Sequence, residues 1–202
     1  FSPIGTQSKY FRGVYDGNGR KVEGIQADNY GDGLFGLVGN APSRTVIKNL
    51  VLKGSVALAY DSYAGLVAGE SYNATFSNLQ LDMQVLAEDS TYIGGVSGYT
   101  ENVLIEDVSV EGTMSINNGS RRIGGVVGRG YSTQFDDVTS SVVITGEASG
   151  RVGGVAGQLY NGSSLTDVTF TGSINIPNTY QIAGLVGSLD NSSIGRSSST
   201  GS

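Results

Sequence analysis

"IGGVVG", residues 123–128, puts three glycines into six positions, and the same shape recurs along the chain. It returns as LFGLVG (34–39), YAGLVA (63–68), IGGVSG (93–98), VGGVAG (152–157) and IAGLVG (182–187). The last residues of the copies, Gly39, Ala68, Gly98, Gly128, Gly157 and Gly187, are separated by 29, 30, 30, 29 and 30 residues. A fixed period of this length is the signature of a repeat architecture, and it decides the fold before any single element is assigned.

A second series keeps step with the first: IKNLVL (47–52), FSNLQL (76–81), IEDVSV (105–110), FDDVTS (135–140), LTDVTF (165–170) and IGRSSS (194–199). Its fourth and sixth residues are mostly apolar, as in Leu50/Leu52 and Val108/Val110. That is the period of two expected of a strand with one buried face. A third series aligns Val56, Val85, Met114, Ile144 and Ile174, with Leu58, Ala87, Ile116 and Ile176 two places on. Three short strands in each 29–30-residue unit, with no helical pattern, predict an all-β fold. The expected form is a right-handed parallel β-solenoid, or β-helix, of six coils. A propeller blade needs four strands and ~40 residues.

Stacked coils turn equivalent positions into ladders. Ile47, Phe76, Ile105, Phe135, Leu165 and Ile194 are expected to form one inward ladder, and Leu37, Leu66, Val96, Val126, Val155 and Leu185 another. Gly36, Gly65, Gly95, Gly125, Gly154 and Gly184 are expected to stack at one corner, where glycine allows both close approach and torsions closed to other residues. Val38, Val67, Val127, Ala156 and Val186 form a further column. Facing outward it would be an apolar docking stripe, and facing inward it would be core. Alternation next to so many glycines leaves both open.

Residues 1–33 lack the full repeat and are expected to form an N-terminal cap or first incomplete coil, with the six repeats spanning 34–202 as a single domain. Within the cap, Asp16-Gly17-Asn18-Gly19 reads as a tight turn between two strands. At the other end Ser197 and Ser199 fall on inward positions. An uncovered last coil would expose unpaired strand edges, so more protein or a partner is expected against it.

Composition narrows the chemistry. The 202 residues contain 32 glycines but only 3 prolines and no G-X-Y period, which excludes collagen, and 38% hydrophobic residues in evenly spread short runs, which excludes disorder. The net charge is −6, with no basic stripe to track a phosphate backbone, so nucleic acid is not an expected partner. No apolar run approaches the ~20 residues of a membrane helix. Cysteine, histidine and tryptophan are all absent. Thiolate zinc sites, Cys nucleophiles, Ser-His-Asp triads and H-E-x-x-H sites are therefore impossible. The opening FSPIGTQSKY shows no signal peptide, which fits a leader already removed or a segment of a longer protein.

The G-L-V-G copies, the I-x-N-L-x-L strands between them and the opening segment together resemble GLUG-motif repeats. That opening runs F-x-P-I-G-T from Phe1 to Thr6, F-x-G-x-x-D-G-N-G from Phe11 to Gly19 and V-x-G-I from Val22 to Ile25. The resemblance covers almost the whole chain. It implies an exported β-helical module of large bacterial or archaeal surface and secreted proteins, adhesin-like ones among them, and it brings no catalytic site. Ala68 departs from the motif's final glycine, and Ser97 from its usual apolar residue.

Few residues offer chemistry. Asn49, Asn78, Asp107, Asp137, Asp167 and Arg196 share the third position of the second series. Stacked carboxylates would invite calcium or serve a carbohydrate-active β-helical enzyme, whereas a ladder of Asx side chains capping turn amides needs no function. The turn reading is preferred, because uniform repeats leave no long loop to wall a groove. Asp28-Asn29-Tyr30-Gly31-Asp32-Gly33 is a second place for calcium, but lacks the distant glutamate and fits a turn equally well. No other cofactor, no metal site and no catalytic residue is expected. Four Asn-x-Ser/Thr sequons, at Asn73, Asn118, Asn161 and Asn191, are near the chance number for so Ser/Thr-rich a chain. Tyr72, Tyr99, Tyr131 and Tyr160 follow the glycine-rich strands, in expected turns, and are the candidate binding residues for a glycan or a protein. The expected function is a non-enzymatic extracellular scaffold or adhesive module. Its partners would be further domains of the same protein, copies of itself in an oligomer or fibre, a surface glycan or a host protein.

Overall fold

The computed structural model describes residues 2–28, 33–59, 63–117, 119–148, 150–177 and 179–202. Its regular structure is all β, and strand pairs with strand in parallel, one coil to the next. The chain winds as a β-solenoid with three sheets. The first holds Val14–Ala27, Thr45–Ala59, Ala74–Glu88 and Leu104–Asn117, followed by shorter strands down to Ser198–Ser199. The second stacks Tyr63–Ala64, Tyr92–Ile93, Arg122–Gly124, Arg151–Gly153 and Gln181–Ala183. The third stacks Leu37–Gly39, Ala68–Tyr72, Ser97–Glu101, Val127–Tyr131, Ala156–Tyr160 and Val186–Asp190. The expected three strands per coil are distributed differently. In the upper coils the second and third sequence series form one continuous strand of up to 15 residues, and the glycine-rich segment is split in two by a sharp bend.

The first inward ladder forms as expected: Ile47 pairs with Phe76, Phe76 with Ile105, Ile105 with Phe135, Phe135 with Leu165 and Leu165 with Ile194. All but Ile194, in the last coil, are buried. At the opposite side of the cross-section the register corrects the sequence alignment. Tyr63 pairs with Tyr92 and Ala68 with Ser97, so this step is 29 residues, not 30. Gly65 therefore stands beside Gly94, and Leu66 takes the position that Gly95, Gly125, Gly154 and Gly184 occupy below it. Leu66 thus begins the glycine column and Val67, not Leu66, heads the ladder of Val96, Val126, Val155 and Leu185. The first copy is displaced further. Leu37 pairs with Glu70 and Gly39 with Tyr72, because Ala41-Pro42-Ser43-Arg44 is extra chain at the next corner. Gly36 accordingly lies beside Gly69, whose N–H donates to Gly36 O at 2.7 Å. The valine column is settled as core: Val38, Val67, Val127 and Ala156 are fully buried and Val186 nearly so, which removes the docking stripe.

The repeated glycines answer two steric demands. Where a copy has them, its first and last glycines lie on the two sides of the bend, against the backbone of neighbouring strands. A Cβ on Gly128 would lie 2.5 Å from Ile93 N, and one on Gly157 2.5 Å from Ile123 N. The middle glycine points inward. A Cβ on Gly95 would meet Val110 Cγ1 at 2.7 Å, and one on Gly154 would enter the Phe170 ring. Close approach is thus the reason for these glycines. The expected left-handed torsions are found at Gly36 and Gly39 but not in the column from Gly94 to Gly187.

Left-handed torsions belong instead to two Asx-rich columns. Asn49, Asn78, Asp107, Asp137, Asp167 and Arg196 have φ between 46° and 57°. Asn40, Asn73, Asn102, Ser132, Asn161 and Asn191 have φ between 44° and 60°. Asn and Asp tolerate this region better than other residues with a Cβ. Three of the sequon asparagines, Asn73, Asn161 and Asn191, are members of the second column, while Asn118 lies outside the described residues. The N-terminal segment stacks as a partial coil: Val14–Ala27 runs parallel to Thr45–Ala59, and Phe11 N donates to Leu37 O at 2.9 Å. Asp16 to Gly19 is a bulge within that strand, with a register shift between Asp16 and Arg20, and not a hairpin turn; a parallel neighbour on the same side before and after leaves no reversal to make.

Gly154→Ala is expected to destabilise the fold by about 2–4 kcal/mol, since its methyl meets a ring and a backbone carbonyl that cannot withdraw. Gly162→Ala, left-handed but with open space around its Cβ, is expected to lose only about 1 kcal/mol. Urea denaturation of the two variants checks the difference.

Candidate functional site

The bend that requires glycine also brings the outer faces of the second and third sheets together. Two adjacent outward ladders line the third sheet. One is Glu70, Tyr99, Arg129, Gln158 and Ser188; the other is Tyr72, Glu101, Tyr131, Tyr160 and Asp190. Facing them from the second sheet is the ladder Tyr63, Tyr92, Arg122, Arg151 and Gln181. The four candidate tyrosines therefore sit on strands, not in turns, and divide between two ladders, Tyr99 on one and Tyr72, Tyr131 and Tyr160 on the other.

The structure joins them to residues that the sequence reading missed. Tyr63 stacks on Tyr92 at 4.6 Å with planes 12° apart, and Tyr92 lies 6.1 Å from Tyr99 across the bend. Tyr99 reaches Tyr72 at 5.8 Å, and Tyr72 meets Tyr10 from the N-terminal segment at 6.1 Å. Lower down, Tyr131 packs edge-on against Tyr160 at 5.0 Å. Arg129 joins the two groups, its guanidinium 5.4 Å from the Tyr92 ring centre and 4.6 Å from that of Tyr160. Its Nη1 donates to Tyr92 Oη at 2.8 Å. Arg122 lies 5.1 Å from the same Tyr92 ring. Such cation–π contacts each contribute roughly 0.5–2 kcal/mol, more as water is excluded. The signal for Tyr63, Tyr92, Arg122 and Arg151 was present: each stands two places before the first small residue pair's glycine, at the repeat period.

Burial shapes the electrostatics. It pushes the Tyr72 hydroxyl well above the ordinary tyrosine range, and the Glu70 carboxylate, accepting the Tyr72 proton at 2.5 Å, pushes the same way. Burial does the same to Tyr99, helped by its hydrogen bond with Tyr160 and by the charge of Glu101. Arg122 is pushed down by burial, and the neighbouring charges of Arg129, Arg151 and Arg121 add to this against the opposing effect of Tyr92. A cleft of about 400 Å³ opens between Tyr63, Glu70, Tyr72, Tyr92, Tyr99 and Arg129.

The acidic column is differently placed. Asp107, Asp137 and Asp167 are exposed on the first sheet. Asn78 donates to Asn49 Oδ1 at 2.7 Å and Asn49 to Asp16 Oδ1 at 2.8 Å. Arg196 grips Asp167 with two bonds of 2.9 and 2.7 Å and holds that carboxyl below its usual range. These side chains bond along the column and not to turn amides. Among the described residues no three Asp or Glu side chains converge as metal ligands. The candidate calcium loop at 28–33 falls largely outside the described residues.

Raised tyrosine pKa values mean that the folded state loses stability as pH climbs above the ordinary value of ~10, where the unfolded chain ionises first. Absorbance titration at 295 nm is expected to show two steps, with Tyr72 and Tyr99 ionising in the later one, on unfolding. Tyr72→Phe/Tyr99→Phe should shrink that late step and leave the early one unchanged.

Residues 148–175 match the family described as the GLUG motif. Halomucin from Haloquadratum walsbyi is 29% identical over 132 residues, covering 58% of this chain. The match spans only 1% of that protein's length. No solved structure matches the chain. The chain is a β-solenoid of stacked coils that carries the GLUG motif.

Proposed function

We propose that this chain is a non-enzymatic module of a prokaryotic cell-surface or fibre-forming protein, acting outside the cell as a stiff structural and adhesive scaffold. The observation that carries the reading is the parallel pairing of all three sheets from coil to coil, over a continuous apolar core. The GLUG match and the likeness to a small part of a far longer protein support a modular role. Uniform coils spend the sequence on stacking and build no walled groove around the exposed Asp107, Asp137 and Asp167, the residues a carbohydrate-active enzyme would have to use. The last coil exposes Ile182, Leu189 and Ile194, an apolar edge suited to a further domain or a second copy. An adhesin reading is favoured as the second one by the tyrosine and arginine corner.

Antibodies raised against the purified chain should label intact cells of the producing organism. Labelling that appears only after permeabilisation would overturn the surface assignment.

A further inference from the structure

The lower half of the tyrosine corner concentrates positive charge on a protein of net charge −6. Arg122 and Arg151 occupy successive rungs of one ladder, about 4.8 Å apart. Each is steadied at Nε by a glutamine: Arg122 donates to Gln158 Oε1 at 2.7 Å and Arg151 to Gln181 Oε1 at 2.8 Å. This fixes both side chains while leaving their terminal nitrogens, the two-pronged edge of each guanidinium, without a carboxylate. The ion pairs among the described residues lie elsewhere, at Lys21–Glu23, Lys48–Asp16, Lys53–Asp82 and Arg196–Asp167. Arg129 Nε is buried with no hydrogen-bond partner among the described residues. Aromatic surface lies at both ends of this pair. The tyrosine cleft is above it, and a second opening of about 380 Å³ beside Arg151 is flanked by Tyr180, which is 87% exposed.

We propose that this corner binds an acidic oligosaccharide of the uronate type, lying along the solenoid axis with its carboxylates on Arg122 and Arg151. A planar carboxylate matches the guanidinium fork, and pyranose C–H faces match tyrosine rings. A uronate chain carries one carboxylate per ring, so two of its rings can supply the two arginines. Nucleic acid fits less well, since the other basic residues are scattered and give no stripe to track a phosphate backbone. The inference concerns binding alone, and the surface assignment neither requires it nor falls with it.

Calorimetric titration of the full chain with hexagalacturonate tests it, with a neutral glucan hexamer, a sulfated oligosaccharide and oligothymidylate as competing probes. Saturable binding of the uronate that weakens with salt is expected, with no binding of the neutral hexamer. Arg122→Gln/Arg151→Gln should weaken it at least ~10-fold, and Arg122→Lys, which keeps the charge but loses the fork, severalfold. Thermal melting confirms that each variant is folded; the lysine variant serves if the double variant is not. No uronate binding, equal binding of the neutral hexamer, tighter binding of the sulfated probe or oligothymidylate, or undiminished binding by a folded variant would each overturn the proposal.

Discussion

Two strands that pass within contact distance at every coil impose the constraint on which the rest of this structure depends. At the bend between the second and third sheets the glycines on either side have no room for a Cβ, and those at the middle position have none because the neighbouring coil and the opposite wall of the core fill the space. Parallel hydrogen bonding then copies the constraint from coil to coil. Each residue meets its own counterpart above and below, so a steric need at one rung becomes a column of glycines.

The core is tuned rung by rung around that column. Leu66 stands where other coils have glycine, and the first sheet answers with Gly54, whose missing side chain leaves space for Leu66 Cδ1. Below, the relation reverses: glycines at 95 and 154 face Val110 and Phe170. Ser140 is the intermediate case, small enough to clear Gly125 and satisfied by donating to Gly154 O at 2.7 Å. At the levels of Leu66 and Phe170 a large side chain on one wall faces a glycine on the other, as close packing favours.

Period and alternation made the parallel solenoid and its main hydrophobic ladder legible from sequence, because both depend on spacing alone. Phase was less legible. Matching Gly65 to Gly95 satisfies glycine identity but not the chain's geometry; matching Tyr63 to Tyr92, Val67 to Val96 and Gly69 to Gly98 satisfies both, and is what the sheets adopt. The extra residues at 41–44 shifted the first copy further, and Arg44 folds back over the corner to donate to Ala74 O and Asn102 O. The four candidate tyrosines were visible as residues, but their neighbours were not. Tyr92 and Tyr99 are brought together by a bend inside a strand pattern, which no periodicity describes. The asparagine columns were partly visible as sequons, a chance motif produced by a repeated backbone need.

Stacking also fixes how the chain converts residues into length. Each coil uses 29 or 30 residues to advance by one strand spacing, roughly a sixth of an ångström per residue, whereas extended chain advances about 3.3 Å. A protein that needed only reach would be built otherwise. What this winding yields is girth and a printed surface: three flat flanks on which any side chain reappears at molecular-scale intervals, so that a weak contact made at one level can be repeated at the next.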